Sequence, residues 1–482
     1  NRVCARLGLR RTMTLGVLLI ALSCFCFGLA DSFPLYCAAG ALTGLAYGYG
    51  GNYGFNMHPD CAQLATQAVI WEFVCGYRSP VYPYTLYDTT CANLFHYAGD
   101  GVQEAVVFFR ILGDEQQLQI YIFHQLEDES YEVQSVIKGD GNAIYSVDYE
   151  NLDDDLRNKE LVVSWQISSL VYNLGAYRYS DQEGQYVELM FTSYNRFSLL
   201  DIDKDNQKEI MVLNLNSIQG EGQADLFDYD SNDKTMNLRD TAPMSKEIIS
   251  ISAMRNGSVK NGGLTAPALF VTSDLSNGIS TITDIFAWRD GRLVNITLNT
   301  ESGMSESTRR VNSMRTVAAR DINRDGILEL PRPSLLPAYA KENAESFWSV
   351  LWQQYDLQGS PIRVFNTYFN DSEGWYLILP DAWDGVITLA KSNIVSGERA
   401  TTFYYWKDQD PGAAPQEFLT IYKLTGPNRE TRSRTGDRFV LMADGDSTIY
   451  AAEFKSCDWD CGLDEEGLRE LFQLIQPEWP DT

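Results

Sequence analysis

Two stretches of nine residues place side-chain oxygen at alternate positions and close with a glutamate. The first carries Asp201, Asp203, Asp205 and Glu209, and the second Asp321, Asn323, Asp325 and Glu329. Oxygen donors on alternate residues of a tight loop wrap a hard cation, and an all-oxygen donor set of this kind selects calcium. The sixth position of such a loop has to turn left-handed, which Gly326 supplies and Asn206 tolerates. Aspartates also make good turns without any metal. What favours calcium is that the same constrained positions recur twice.

The helix–loop–helix type of calcium site is excluded. It needs its glutamate at position twelve, where this chain has Val212 and Arg332, and it needs flanking helices where the pattern here is β. Other reactive chemistry is sparse. With His58, His96 and His124 as the full histidine complement, a histidine-based triad or zinc site has almost nothing to draw on. Cys457 and Cys461 can pair in an oxidising compartment, but zinc would need more ligands than their neighbourhood holds. The chain is therefore read as a non-enzyme. A glycosidase on the same scaffold is the alternative, since two well-spaced carboxylates suffice for that reaction.

A net charge of -27 argues against nucleic acid as a partner, because phosphate binding needs clustered Lys and Arg. It suits an extracytoplasmic protein with a taste for divalent cations. Apolar residues make up 44% of the chain, enough to predict packed cores rather than disorder.

The elements that position the loops repeat. Asp100, Asp155, Asp205 and Asp325 lie 55, 50 and 120 residues apart, which gives five units of fifty to sixty residues with a degenerate member near Gly262 and Gly263. Each unit reads as an acidic loop, a Glu, a β-branched strand, an aromatic strand, a third strand, and a fourth that runs into the next loop. First strands are predicted over 105–109, 161–165, 210–213 and 268–271, and turns at Asp290-Gly291 and Gln358-Gly359. The loop at Asn151, Asp153 and Asp155 has Leu156 where Gly or Asn belongs, and its Glu160 comes one place late. At Asp100 only the second half of the pattern survives, ending at Glu104.

Four-stranded units cannot bury both faces alone, so they must stack. Radial stacking into a propeller closes the edges, with an open stack or paired sandwiches as alternatives. Residues 381–482 read as further strands followed by a helix from Asp464, with Leu468, Leu471, Phe472 and Ile475 on one face. The fold class expected is mainly β: propeller-like repeats over 99–380, a β-rich segment with a terminal helix over 381–482, and an apolar helical segment at the N-terminus.

That segment, 1–51, begins with Arg2, Arg6, Arg10 and Arg11, then runs uncharged from Met13 to Ala30 and again from Phe33 to Gly51. Such a run is long enough to span a bilayer and carries its positive charges on the cytoplasmic side. It also fits a secretory signal, with Gly28, Leu29 and Ala30 as the cleavage site. Either way the rest is expected outside the cytoplasm, membrane-anchored or secreted.

The repeats resemble the FG-GAP or VCBS-type repeats of secreted and surface proteins of Gram-positive bacteria and of integrin α-chains. That resemblance implies a propeller whose loops hold calcium structurally and whose face binds a protein or glycan. Residues 6–11 and 40–44 resemble a helix pair of the major facilitator superfamily, while Thr66, Gln67, Ile70 and Trp71, within 52–98, resemble the thioester-domain signature T-Q-x-A-I-W, with Val69 in place of Ala. By that resemblance Gln67 is the acyl donor of an adhesin whose partner Cys would lie upstream, where Cys37 stands. The word from Tyr47 to Gly51 fits both N-terminal stretches, so the first hundred residues read as a mosaic.

Overall fold

A computed structural model of the chain describes residues 84–85, 92–95, 104–111, 118–126, 131–139, 141–155, 158–216, 221–307, 310–311, 317–337, 346–406, 413–445 and 447–475. Gln67, the apolar segment 1–51 and the loop acid Asp100 lie outside the described residues. The chain divides into two compact units, residues 1–149 with 157–191, and residues 150–156 with 192–482.

Among the described residues the strands form six sheets of four or five strands and one short ribbon, Leu298–Asn299 with Met304–Ser305. The first sheet is built on Glu104–Ile111, Leu118–Gln125 and Tyr131–Gly139, with Tyr84–Thr85 and Ala92–Phe95 both pairing with Glu104–Ile111. The second follows as Ala143–Glu150, Glu160–Gln166, Tyr172–Ser180 and Gln185–Tyr194, and the third as Arg196–Leu200, Glu209–Asn216, Glu221–Asp230 and Thr235–Pro243. The fourth sheet takes Ile248–Asn261, Leu264–Leu275, Ser280–Arg289 and Arg292–Asn295. Leu330–Leu335, Trp348–Tyr355, Pro361–Asn370 and Trp375–Leu379 begin the fifth, and Ile387–Ser392, Glu398–Tyr405 and Gln416–Thr425 the sixth.

The sequence repeat and the sheet are offset by one strand. The strand that leads into an acidic loop pairs with the strand that leaves it: Leu200 lies opposite Glu209, and Arg320 is bridged to Glu329. Each acidic loop is thus a hairpin within a sheet rather than a link between sheets. Backbone pairing of the two strand ends brings the acidic side chains of the loop together.

Strand alternation assigns each side chain to one of two cores. On the fourth sheet Leu269, Val271, Ile282 and Phe286 join Met211, Leu213 and Leu226 of the third. Their neighbours Ala268, Phe270, Ile285 and Ala287 join Leu330 and Tyr355 of the fifth. A strand buried on both faces reads as a nearly unbroken apolar run, which is what the segment from Ile282 to Trp288 looks like apart from Thr283 and Asp284. In the first unit, Val106, Ile120, Ile122 and Ile137 pack with Leu161, Val163 and Trp165 of the second sheet.

Turn chemistry sets the ends. Asp290 and Gly291 both adopt positive φ, 53° and 77°, as a two-residue hairpin turn with primed geometry requires. Gly359 has φ 86°, and a Cβ built there would stand 1.9 Å from the Ile296 carbonyl oxygen, so no other residue fits. The degenerate repeat at Gly262-Gly263 has lost its loop. Strands of 14 and 12 residues meet there in a two-residue turn.

The C-terminal helix is shorter than its apolar spacing predicts. It spans Glu465–Leu471, capped by Asp464, whose Oδ1 accepts the Gly467 N–H at 2.9 Å. Phe472 and Ile475, expected on its apolar face, lie beyond its end. Phe472–Leu474 is a strand that pairs antiparallel with Trp375–Leu379 and becomes the last strand of the fifth sheet. The reason is an open edge. Trp375–Leu379 offers unpaired backbone groups, and Phe472 fills the space between Trp375 and Tyr450 at ring distances of 5.5 and 5.3 Å.

The sixth sheet is completed out of sequence order, with Thr448–Phe454 against Gln416–Thr425 and Phe439–Asp444 at the edge. Its side chains Ile387, Phe403, Phe418 and Ile421 share one core with Tyr368, Trp375 and Leu377 of the fifth sheet. Cys457 and Cys461 stand beside this core as free thiols, donating to Gln416 Oε1 at 3.3 Å and to the Leu463 carbonyl at 3.7 Å. Among the described residues no helix is long and apolar enough to cross a membrane.

Candidate metal centres

Both complete loops fold the same way, and the apolar second position explains how. Ile202 and Ile322 are buried, and the N–H of each donates to the closing glutamate, Ile202 to Glu209 Oε2 at 2.8 Å and Ile322 to Glu329 Oε2 at 2.9 Å. The first aspartate caps the turn. Asp201 accepts the N–H groups of Asp205 and Asn206, both at 3.1 Å, and Asp321 those of Asp325 and Gly326 at 3.0 and 2.9 Å. Two residues per loop are left-handed. Asn206 and Gly326 take φ 74° and 84°, as the sequence leads one to expect, but so do Lys204 and Arg324 at 68° and 63°. A long side chain in that region is strained, and the hydrogen bonds of the turn hold it there.

The outcome is a convergence of carboxylates. Asp201, Asp203, Asp205 and Glu209 each bring one oxygen to within 4.8 Å of the others, and so do Asp321, Asp325 and Glu329. Asn323 stands in the second loop's third position, with its Oδ1 accepting the Asp325 N–H at 3.0 Å. The seven acids singled out from the sequence therefore lie in two clusters, one per loop, and Asn323 is bonded to Asp325 of the second.

Burial sets the electrostatics. Glu209 and Glu329 are fully buried, and loss of water pushes their carboxyls up to about 8 and about 7. The Ile202 N–H opposes this at Glu209, while Asp203, Asp228 and Asp205 add to it. At Glu329 the Ile322 N–H and Gln354 oppose it, and Asp325 and Asp321 add to it.

Three contributors escape the sequence pattern. Arg239 donates to Asp203 Oδ2 at 2.8 Å and to Asp228 Oδ2 at 2.7 Å, and its guanidinium stacks 4.3 Å from the Trp288 ring centre. Gln354 donates through Nε2 to Asp325 Oδ2 at 2.7 Å and to Glu329 Oε1 at 2.6 Å. Asp228 and Gln354 hold the same place in their sheets, one position outward from the Ile210–Phe227 and Leu330–Gln353 pairs and so across from the closing glutamate. By the same count Arg178 lies across from Glu160, and His124 is paired with Glu104. The repeat whose loop has drifted from the pattern thus has a cationic residue opposite its buried glutamate.

The donor set fits a hard cation. Every ligand candidate is an oxygen, and in the first loop the buried atoms Glu209 Oε1 and Asp203 Oδ1 have no hydrogen-bond partner among the described residues. An unsatisfied buried carboxylate oxygen is expensive, and a cation would satisfy both. In the second loop Asp321, Asn323, Asp325 and Glu329 would hold it.

No protein-family model matches the chain, and no curated protein is significantly similar to it. Among solved structures it is similar to the Dos1 propeller, at 9% identity over 61% of this chain and 78% of that one, with a TM-score of 0.28. Sqt1 of Saccharomyces cerevisiae aligns at 10% identity over 74% of this chain and 94% of that one, also with a TM-score of 0.28. A fructofuranosidase from Schwanniomyces occidentalis in complex with fructosylnystose aligns at 10% identity over 75% and 83%, with a TM-score of 0.27.

Proposed function

We propose that this chain is an extracytoplasmic binding module of stacked β-repeats, propeller-like in arrangement, whose two acidic loops hold calcium as a structural ion. The observation that carries the reading is the first loop: four carboxylates gathered within 4.8 Å, with two buried oxygens that have no hydrogen-bond partner among the described residues. Calcium serves here to satisfy those oxygens and to fix the hairpin, so that the sheets present a rigid surface to a protein or glycan. Asp205 and Asp325 are solvent-exposed, which suits an ion exchanging with a medium rich in calcium. The resemblance to FG-GAP or VCBS repeats agrees with this role, and so does the acidic net charge of -27.

Thermal melting of calcium-depleted protein tests it. Millimolar calcium is expected to raise Tm by several degrees, since a ligand held at about 100 times its Kd adds about 2.7 kcal/mol. Asp201→Asn with Asp205→Asn should remove part of that shift, and adding Asp321→Asn with Asp325→Asn the remainder. An unchanged Tm at millimolar calcium would sink the reading.

A further inference from the structure

We infer that Gln354 is a ligand of the second calcium loop that stands outside the loop, and that it changes ends, amide nitrogen for amide oxygen, when a cation binds. This rests on the calcium reading above and deepens it. Gln354 is fully buried on Trp348–Tyr355, a strand away from the loop, with its amide aimed at the cluster. Its Nε2 bridges Asp325 and Glu329, while its Oε1 is buried and has no hydrogen-bond partner among the described residues.

The two loops therefore meet the same electrostatic problem differently. In the first, Glu209 Oε1 has no hydrogen-bond partner among the described residues, and Arg239 bridges Asp203 and Asp228 at the side. In the second, the Gln354 amide group does part of a cation's work by donating to both carboxylates. A cation placed among Asp321, Asp325 and Glu329 repels that NH2 end and attracts the oxygen end. Rotation about the last side-chain bond exchanges the two without moving the strand. It also gives the stranded oxygen a partner, and amide carbonyls are ordinary calcium ligands.

The test uses the full chain with Asp201→Asn and Asp205→Asn in the first loop, so that calorimetry reads the second alone. Gln354→Leu is expected to weaken calcium binding roughly tenfold or more, and Gln354→Glu to tighten it while lowering Tm in chelator. In the 15N-labelled parent, the side-chain NH2 signals of Gln354 should shift as calcium is added, because their two carboxylate acceptors are lost. If the parent binds calcium but Gln354→Leu binds equally well, or the NH2 signals stay where they were, the inference is overturned and the calcium reading survives. If the parent binds no calcium, both fall at this loop.

Discussion

In calcium-free buffer the folded chain is expected to lose stability steadily as the pH rises from about 5 to about 8, and calcium is expected to abolish the loss. Glu209 is the main source. Burial pushes its carboxyl up from 4.5 to about 8, with Asp203, Asp228 and Asp205 adding negative charge and the Ile202 N–H opposing. Arg239 faces the same cluster through Asp203 and Asp228. A carboxyl whose folded pKa is raised binds a proton more tightly folded than unfolded. Its stabilising contribution is complete below the unfolded value and is lost as the pH climbs through the folded one. At about 1.4 kcal/mol per pKa unit the loss from Glu209 is on the order of a few kcal/mol, and Glu329, pushed up to about 7, adds to it. Urea midpoints measured across this range in the absence of calcium check the slope. Glu209→Gln, which still offers an oxygen to Ile202, should flatten most of it. A flat or rising profile for the unmodified chain would contradict the electrostatics of both loops.

Asp284→Ala is expected to destabilise the protein by about 3 kcal/mol or more, because it takes the shared acceptor from several buried donors at once. Asp284 is fully buried on Ser280–Arg289, and burial pushes its carboxyl upward. Its oxygens accept the Ser245 N–H at 2.9 Å, the Ser245 hydroxyl at 2.6 Å and Asn295 Nδ2 at 2.9 Å. Ser245 lies in the link between the third and fourth sheets, and Asn295 closes the fourth while also donating to the Pro243 carbonyl at 3.1 Å. Removing the carboxylate leaves three donors unsatisfied where water is scarce, at about 1 to 3 kcal/mol each before relaxation. Chemical denaturation with and without calcium separates this effect from that of the loops. The loss should be equal in both conditions, and a change below about 1 kcal/mol would show that the junction does not depend on Asp284.

Much of the mainly β fold is legible in the sequence because strand alternation and turn chemistry are local. Asp290-Gly291 announces its hairpin, and the run from Ile282 to Trp288 announces a strand buried on both sides. The eight oxygen-bearing loop residues are legible for the same reason, since each set of four lies within nine residues. Which strands share a sheet is not. The repeat places the acidic loop at the start of a unit, whereas pairing places it inside a hairpin, because backbone hydrogen bonds join the strands on either side of it. The apolar spacing of Phe472 suits a helix, yet the open edge of Trp375–Leu379 draws it into a strand instead.

The residues opposite the closing glutamates mark where sequence alone stops. His124, Arg178, Asp228 and Gln354 follow Glu104, Glu160, Glu209 and Glu329 by 20, 18, 19 and 25 residues. No fixed spacing exposes them, because the hairpins between the two strands differ in length. The sequence by itself determined the two acidic loops and the oxygen donors that each gathers within nine residues. Only the tertiary structure decided which side chain faces each loop from the next strand, since cross-strand register depends on hairpin length and pairing rather than on local pattern.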